Sequence, residues 1–231
     1  MQKLIRISAL LLIVMLSIVA TRVPNAMAQD ESEGPLDDPT QLEGLEEAVG
    51  RSYSIDYDAL FADASPDASG NFDYPDGLQG LFTAVYKFDS DDHAKDALEK
   101  ARTQIESEGV EGLDLQEVDI DDLNDDTLAL TAQADQEGVG TTVTTVVATQ
   151  EDDYLYVIVG VAVGTDTDLN GIVGDLAKEL IDEDAGDGDP TFNEDGTSEG
   201  GIWDKFPDSD DDLIKDLIAT DEQIFPVPAD A

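Results

Sequence analysis

A single histidine, His93, stands against 55 acidic residues and no cysteine, so the reactive side chains of this protein are overwhelmingly carboxylates. Nucleophilic catalysis through a histidine would have to use His93. It lies among Asp91, Asp92 and Lys95, in what reads as the polar first turn of a helix, and no Gly-x-Ser-x-Gly elbow accompanies it. Zinc lacks its His/Cys ligand set, thiol chemistry and disulfides are excluded, and no glycine loop of the phosphate-cradling kind is present. Two carboxylates could act as acid and base on a glycoside. Among so many acids, only burial against apolar walls would mark such a pair, and linear sequence identifies none.

Calcium chemistry has a more definite address. Asp182, Asp184, Asp187, Asp189, Asn193 and Asp195 place hard oxygen donors on a glycine-containing stretch, the ligand type that Ca²⁺ prefers. No window there has the Asp-x-[Asp/Asn]-x-[Asp/Asn]-Gly loop with its distal glutamate. Asp119, Asp121, Asp122, Asp125 and Asp126 fail the same pattern. The stretch therefore reads as a solvated linker or a weak Ca²⁺ site. Just beyond it, Trp203, the only tryptophan, and Phe206 are candidates for partner contact or for an anchor onto the same domain.

The charge balance narrows the partners. The net charge is −44, and Lys3, Arg6 and Arg22 lie in the first 28 residues, where no acid occurs. Such a surface repels nucleic acid and anionic lipid, which leaves an unidentified protein or a cation. Self-repulsion also opposes folding unless counterions screen it, over about 10 Å at 0.1 M salt and about 3 Å at 1 M. The acids run through the whole chain, so adaptation to a saline medium is favoured over one cation-holding loop.

Several segments frame the part that must fold. Lys3 and Arg6, the apolar run Ile7 to Ala20 and the small-x-small site Ala26-Met27-Ala28 read as a Sec-type signal peptide, residues 1–28, which implies export. Residues 29–38 form a flexible acidic leader, 39–181 an α+β domain, 182–201 an acidic glycine-rich linker and 202–231 an anchored C-terminal segment. In that last segment Ser209 can cap a short helix carrying Leu213, Ile214, Leu217 and Ile218.

Within the domain, the stretch 141–164 carries the clearest pattern. Leu155, Val157, Val159, Val161 and Val163 alternate, the period of a strand with one face in a core, and the partly apolar even positions imply some cover on the other. With the β-branched run around Val143 to Thr149 and the short break Glu151-Asp152-Asp153, this predicts an antiparallel hairpin. Leu128, Leu130, Ala132 and Ala134 predict a strand ahead of it, and Phe82, Ala84, Tyr86 and Phe88 another. Ala94, Ala97, Leu98 and Ala101 recur at helical spacing behind Ser90, and Leu169, Ile172, Val173, Leu176 and Leu180 do so after Gly164. In the second helix Gly171 and Gly174 call for close packing on the sheet.

Thr40-Gln41-Leu42-Glu43 has the form of a capping box, and with Leu45, Val49 and Gly50 it predicts a short helix. Tyr53, Ile55 and Tyr57 then predict a short strand. The resulting expectation is an α+β fold, an antiparallel sheet of about four to six strands packed by two main helices on one face.

The strand ending Tyr86-Lys87-Phe88-Asp89-Ser90, the helix with Ala94 and Leu98, the segment Leu123-Asn124-Asp125-Asp126-Thr127-Leu128-Ala129-Leu130, the β-branched hairpin and the closing helix together resemble small exported bacterial domains of the PsbP-like α/β sandwich type. The resemblance covers residues 80–182, with Asn124 where those domains carry glycine. It implies an accessory or binding domain without a catalytic set, and no site residues. The functional expectation is an exported, acidic, non-enzymatic binding or accessory domain, with a Ca²⁺ module through 182–195 and a carboxylate-dependent hydrolase as alternatives.

Overall fold

The computed structural model describes residues 42–62, 75–108, 115–121, 123–124, 126–136, 139–207, 214 and 217–225. The expected signal peptide and leader, and Ser209, lie outside these residues. Seven strands form one sheet: β1 (Leu45–Ser54), β2 (Gly77–Phe88), β3 (Gln116–Glu117), β4 (Thr127–Gln136), β5 (Gly140–Glu151), β6 (Tyr154–Val163) and β9 (Ile218–Phe225). Their order is β3-β4-β5-β6-β2-β1-β9, and every pairing is antiparallel. The other elements are helices α1 (Tyr57–Phe61), α2 (Asp91–Glu108) and α3 (Leu169–Asp182), a small hairpin of β7 (Thr191–Phe192) and β8 (Ser198–Glu199), and a 3₁₀ turn at Gly201–Lys205.

The hairpin predicted from period-2 alternation is present as β5 and β6. Glu151 pairs with Tyr154, and Asp152 takes the left-handed conformation in the two-residue turn, φ 51°. With β5 on one side and β2 on the other, β6 lies inside the sheet, and both of its faces are buried. Leu155, Val157 and Val159 pack on one side with Ala94, Ala97 and Leu98 of α2. Tyr156, Ile158 and Ala162 pack on the other with Leu169, Val173, Leu176, Ala177 and Leu180 of α3. The helices therefore cover opposite faces, contrary to the expectation of one, and the near-continuous apolarity of β6 follows from burial on both sides. Leu176 and Leu180 are fully buried, each contributing about 2 kcal/mol of apolar transfer energy.

Close approach of α3 is permitted by the sheet. A Cβ on Gly160 would stand 2.6 Å from Val173 Cγ2 and 2.8 Å from Leu169 Cδ1. Gly171 and Gly174 do not serve that purpose: their Cα hydrogens face Asp168 and Ile120.

Further expectations are corrected. The helix drawn from the capping-box pattern at 40–50 is strand β1 from Leu45, and the strand at Tyr53 to Tyr57 divides into the end of β1 and the start of α1. In β1 the residues Ala48, Val49, Gly50 and Arg51 are buried in succession between β2 and β9; sheet pairing on both edges overrides a local helical pattern. The sheet has seven strands instead of four to six, with β9 as an edge strand beyond β1. The 182–201 stretch is joined to the body at several points. The Asp221 N–H of β9 donates to Gly196 O (2.9 Å) and Arg51 Nη2 of β1 to Ser198 O (2.7 Å). Finally, Ile218 begins a strand instead of closing a helix.

Candidate functional site

A half-open cleft of about 430 Å³ lies between α3 and residues 119–121. Asp119, Asp121, Asp168 and Asp175 bring four carboxylates to its walls, with Asn170 and Lys178 beside them. The fold fixes several of these groups. Asp168 is the N-cap of α3 and accepts from the Gly171 N–H (3.1 Å). Asn170 is held by the sheet, its Oδ1 accepting from Thr145 Oγ1 at 2.8 Å. Lys178 Nζ stands 3.7 Å from Asp175 Oδ1. All four aspartates are exposed, so the cleft offers hydrated, hard oxygen donors under a negative potential. That favours association with a cation. The cleft holds no buried carboxylate pair of the kind acid–base chemistry on a glycoside would need.

The six residues expected as calcium ligands are all exposed and are distributed over different local structures. Asp182 ends α3. Asn193 and Asp195 belong to the turn of the β7–β8 hairpin, where Asp195 Oδ1 accepts from the Thr197 N–H (3.0 Å) and hydroxyl (2.7 Å). Those bonds hold the Asp195 carboxyl below its ordinary pKa. Among the described residues no group of three or more His, Cys, Asp or Glu is arranged to hold a metal ion.

Trp203 and Phe206 are turned inward. Trp203 is 1% exposed and Phe206 4%, their rings 5.7 Å apart, in the same core as Leu176 and Leu180. They anchor the C-terminal segment and present no ring to a partner.

Around them lie two buried cations that sequence reasoning did not single out. Arg51 of β1 makes a two-pronged bond to Asp221 of β9, Nε to Oδ1 at 2.6 Å and Nη2 to Oδ2 at 3.0 Å. It also donates to Ser198 O (2.7 Å) and Pro207 O (3.4 Å), and its guanidinium stacks 5.1 Å from the Phe206 ring centroid. One side chain thus joins β1, β9, β8 and the end of the 3₁₀ turn. Lys205 donates to Glu183 O (2.6 Å) and Leu180 O (3.5 Å) at the end of α3, where the helix dipole favours a positive charge. Its ammonium lies over the rings of Tyr154 (4.8 Å) and Tyr156 (5.4 Å). Burial lowers its pKa, opposed by the field of Asp184, Asp153, Glu183 and Asp152.

His93 makes no catalytic triad. Its Nδ1 is bonded to Asp89 Oδ1, but the Ser90 hydroxyl is also directed at Asp89 (3.1 Å) and accepts from the His93 backbone N–H (3.4 Å). The hydroxyl is not aligned on the imidazole as a triad nucleophile must be.

No protein-family description and no curated protein matches the chain. Among solved structures, the extracellular domain of PknH from Mycobacterium tuberculosis is similar over 51% of this chain and 66% of that one, just under two thirds, at 11% identity and a TM-score of 0.31. A likeness of that size carries no argument about fold or function. Among the described residues, no helix is long and apolar enough to cross a membrane, a statement that does not bear on β-barrels.

The cleft residues could not have been selected from sequence. Asp119 and Asp121 are brought to Asp168 and Asp175 only by the packing of Ile120 against Gly174, and each is one aspartate among 38.

Proposed function

We propose that this chain is an exported, non-enzymatic binding or accessory domain adapted to a saline, cation-rich medium, and that the cleft between α3 and residues 119–121 is where it meets a cationic ligand. One observation carries the reading: two of the chain's few cations are taken out of an acidic surface. Arg51 and Lys205 are buried and join the C-terminal segment to the sheet and α3, whereas the cleft and the 182–195 stretch expose carboxylates to solvent. A fold that withdraws cations from an already anionic surface leaves that surface to be neutralised by ions from the medium. The sequence pattern of a signal peptide and the resemblance to PsbP-like accessory domains support export and a non-catalytic role.

The experiment is a thermal melt at rising NaCl, repeated with Ca²⁺ at high NaCl. The proposal expects Tm to climb with NaCl and to be indifferent to micromolar or low millimolar Ca²⁺ once NaCl is high. A Ca²⁺-dependent rise under those conditions would replace it with the calcium-module reading through 182–195. Hydrolysis of a glycoside that disappears when Asp168 and Asp175 are both changed to asparagine would replace it with an enzyme.

A further inference from the structure

The strongest unassigned cluster of titratable groups surrounds His93. Its imidazole lies between two carboxylates on different segments: Asp89, where β2 passes into α2, with Nδ1 to Oδ1 at 2.5 Å, and Glu43, in the turn ahead of β1, with Nε2 to Oε1 at 3.8 Å. The same two segments are tied by backbone, the Asp89 N–H donating to Gly44 O at 2.8 Å. Gly44 holds φ +77°, and a Cβ there would fall 2.2 Å from His93 Nδ1 and 2.4 Å from Asp89 Oδ1. The contact is close enough that only glycine fits, and the left-handed conformation demands it as well. At 3.8 Å the Glu43 contact is an ion pair and not a hydrogen bond, so only the charged imidazolium attracts Glu43, whereas a neutral ring can still donate its single N–H to Asp89.

We propose that protonated His93 is a pH-operated fastening that closes the turn at residues 42–44 onto the first turn of α2. When the proton leaves, the ring keeps at most one of its two carboxylate partners, and the turn ahead of β1 is held by the Asp89-to-Gly44 backbone bond without its ionic support. Asp89 and Glu43 face the ring, and Asp96 of α2 adds to the same field. Ser90 bonds Asp89 from the other side. The bond to Asp89 and these carboxylates raise the histidine's pKa above its ordinary value, and the bond to His93 lowers that of Asp89. The sign follows: the closed state binds the proton more tightly than the open one. The fastening is complete below the ordinary histidine pKa of about 6.5 and is released as pH rises through the raised value.

The chain has one histidine, so its ring resonances report this site alone. An NMR pH titration of the intact protein at low salt gives the closed-state pKa, and hydrogen exchange at the Asp89 amide gives the protection of the latch, with the Leu176 amide in α3 as the control. We expect the His93 pKa above 6.5 and lower in both Glu43→Gln and Asp89→Asn. Asp89 protection should fall across that pH range, relative to Leu176, by the factor separating the closed and open dissociation constants, and His93→Gln should make it pH-independent. The exposed position of Glu43 makes its variant safe for folding if Asp89→Asn is not. A His93 titration at the ordinary value, or one unmoved by Glu43→Gln, overturns the proposal, as does protection that falls equally in His93→Gln.

Discussion

The two faces of the sheet are built differently. Under α2 the core is apolar: Ala94, Ala97 and Leu98 rest on Tyr86 and Phe88 of the preceding β2 and on Val157 and Val159 of β6. Under α3 the core includes Ile202, Trp203, Phe206 and Ile214, which arrive from the far end of the chain, and it encloses Arg51 with its partner 170 residues away. The first face needs only shape and hydrophobicity. The second also depends on ion pairing in a desolvated place, where a partner's loss leaves a charge with nothing to compensate it. The contrast shows what Arg51 does in this anionic chain: it closes the seam that brings β9 back to β1.

The largest expected effect tests that seam. Asp221→Ala leaves Arg51 buried without its carboxylate and should cost about 3–5 kcal/mol in urea unfolding. Replacing both partners, as in Arg51→Met with Asp221→Leu, should recover most of the loss. If Asp221→Ala alone costs no more than an ordinary surface change, the seam is not what distinguishes the two faces.

A smaller difference is expected between leucines on the two sides. Leu176→Ala, fully buried beneath α3, and Leu98→Ala, on the alanine-lined face, fall in a range of about 2–5 kcal/mol, with Leu176 the costlier because it is buried with Trp203 and Phe206 in a core shared with the C-terminal segment. Equal losses in equilibrium unfolding would remove the asymmetry of packing and leave only that of charge.

The smallest effect appears at alkaline pH. Burial raises the pKa of Tyr86 under α2, and of Tyr53 and Tyr156 under α3, where Arg51 opposes the rise at Tyr53. A folded pKa above the unfolded value of about 10 means that stability is intact below pH 10 and is lost as pH rises beyond it. Tyrosinate absorbance should therefore develop for these residues together with unfolding. Ionisation of Tyr86 in a chain that still shows native circular dichroism would contradict the burial assigned to it.

Signals carried within a single element were the legible ones. Alternation in Leu155 to Val163 and helical spacing in Ala94 to Leu98 are signals written within one element, and signals of this kind identify β2, β4, β5, β6, α2 and α3. Strand β1 was hidden because Leu42, Leu45 and Val49 fit a helical stripe as well as a buried strand, and only the pairing with β2 and β9 decides between them. Strand β9 was hidden because Asp221 reads as a solvent residue until Arg51 stands beside it. The cleft was illegible for a related reason: Asp119, Asp121, Asp168 and Asp175 meet through tertiary packing, and in so acidic a chain composition offers no contrast.

The central claim is that the exposed carboxylates need the medium's ions while the buried cations do not. Urea unfolding of the intact protein at NaCl from about 0.1 to 1 M, in buffer free of divalent ions, tests it directly, since urea is uncharged and screening changes steeply over that range. The midpoint should rise strongly with NaCl in the wild type and by nearly the same amount in the Arg51→Met, Asp221→Leu pair, because the buried seam is little screened. A wild-type midpoint that stays flat or falls as NaCl rises would contradict the account.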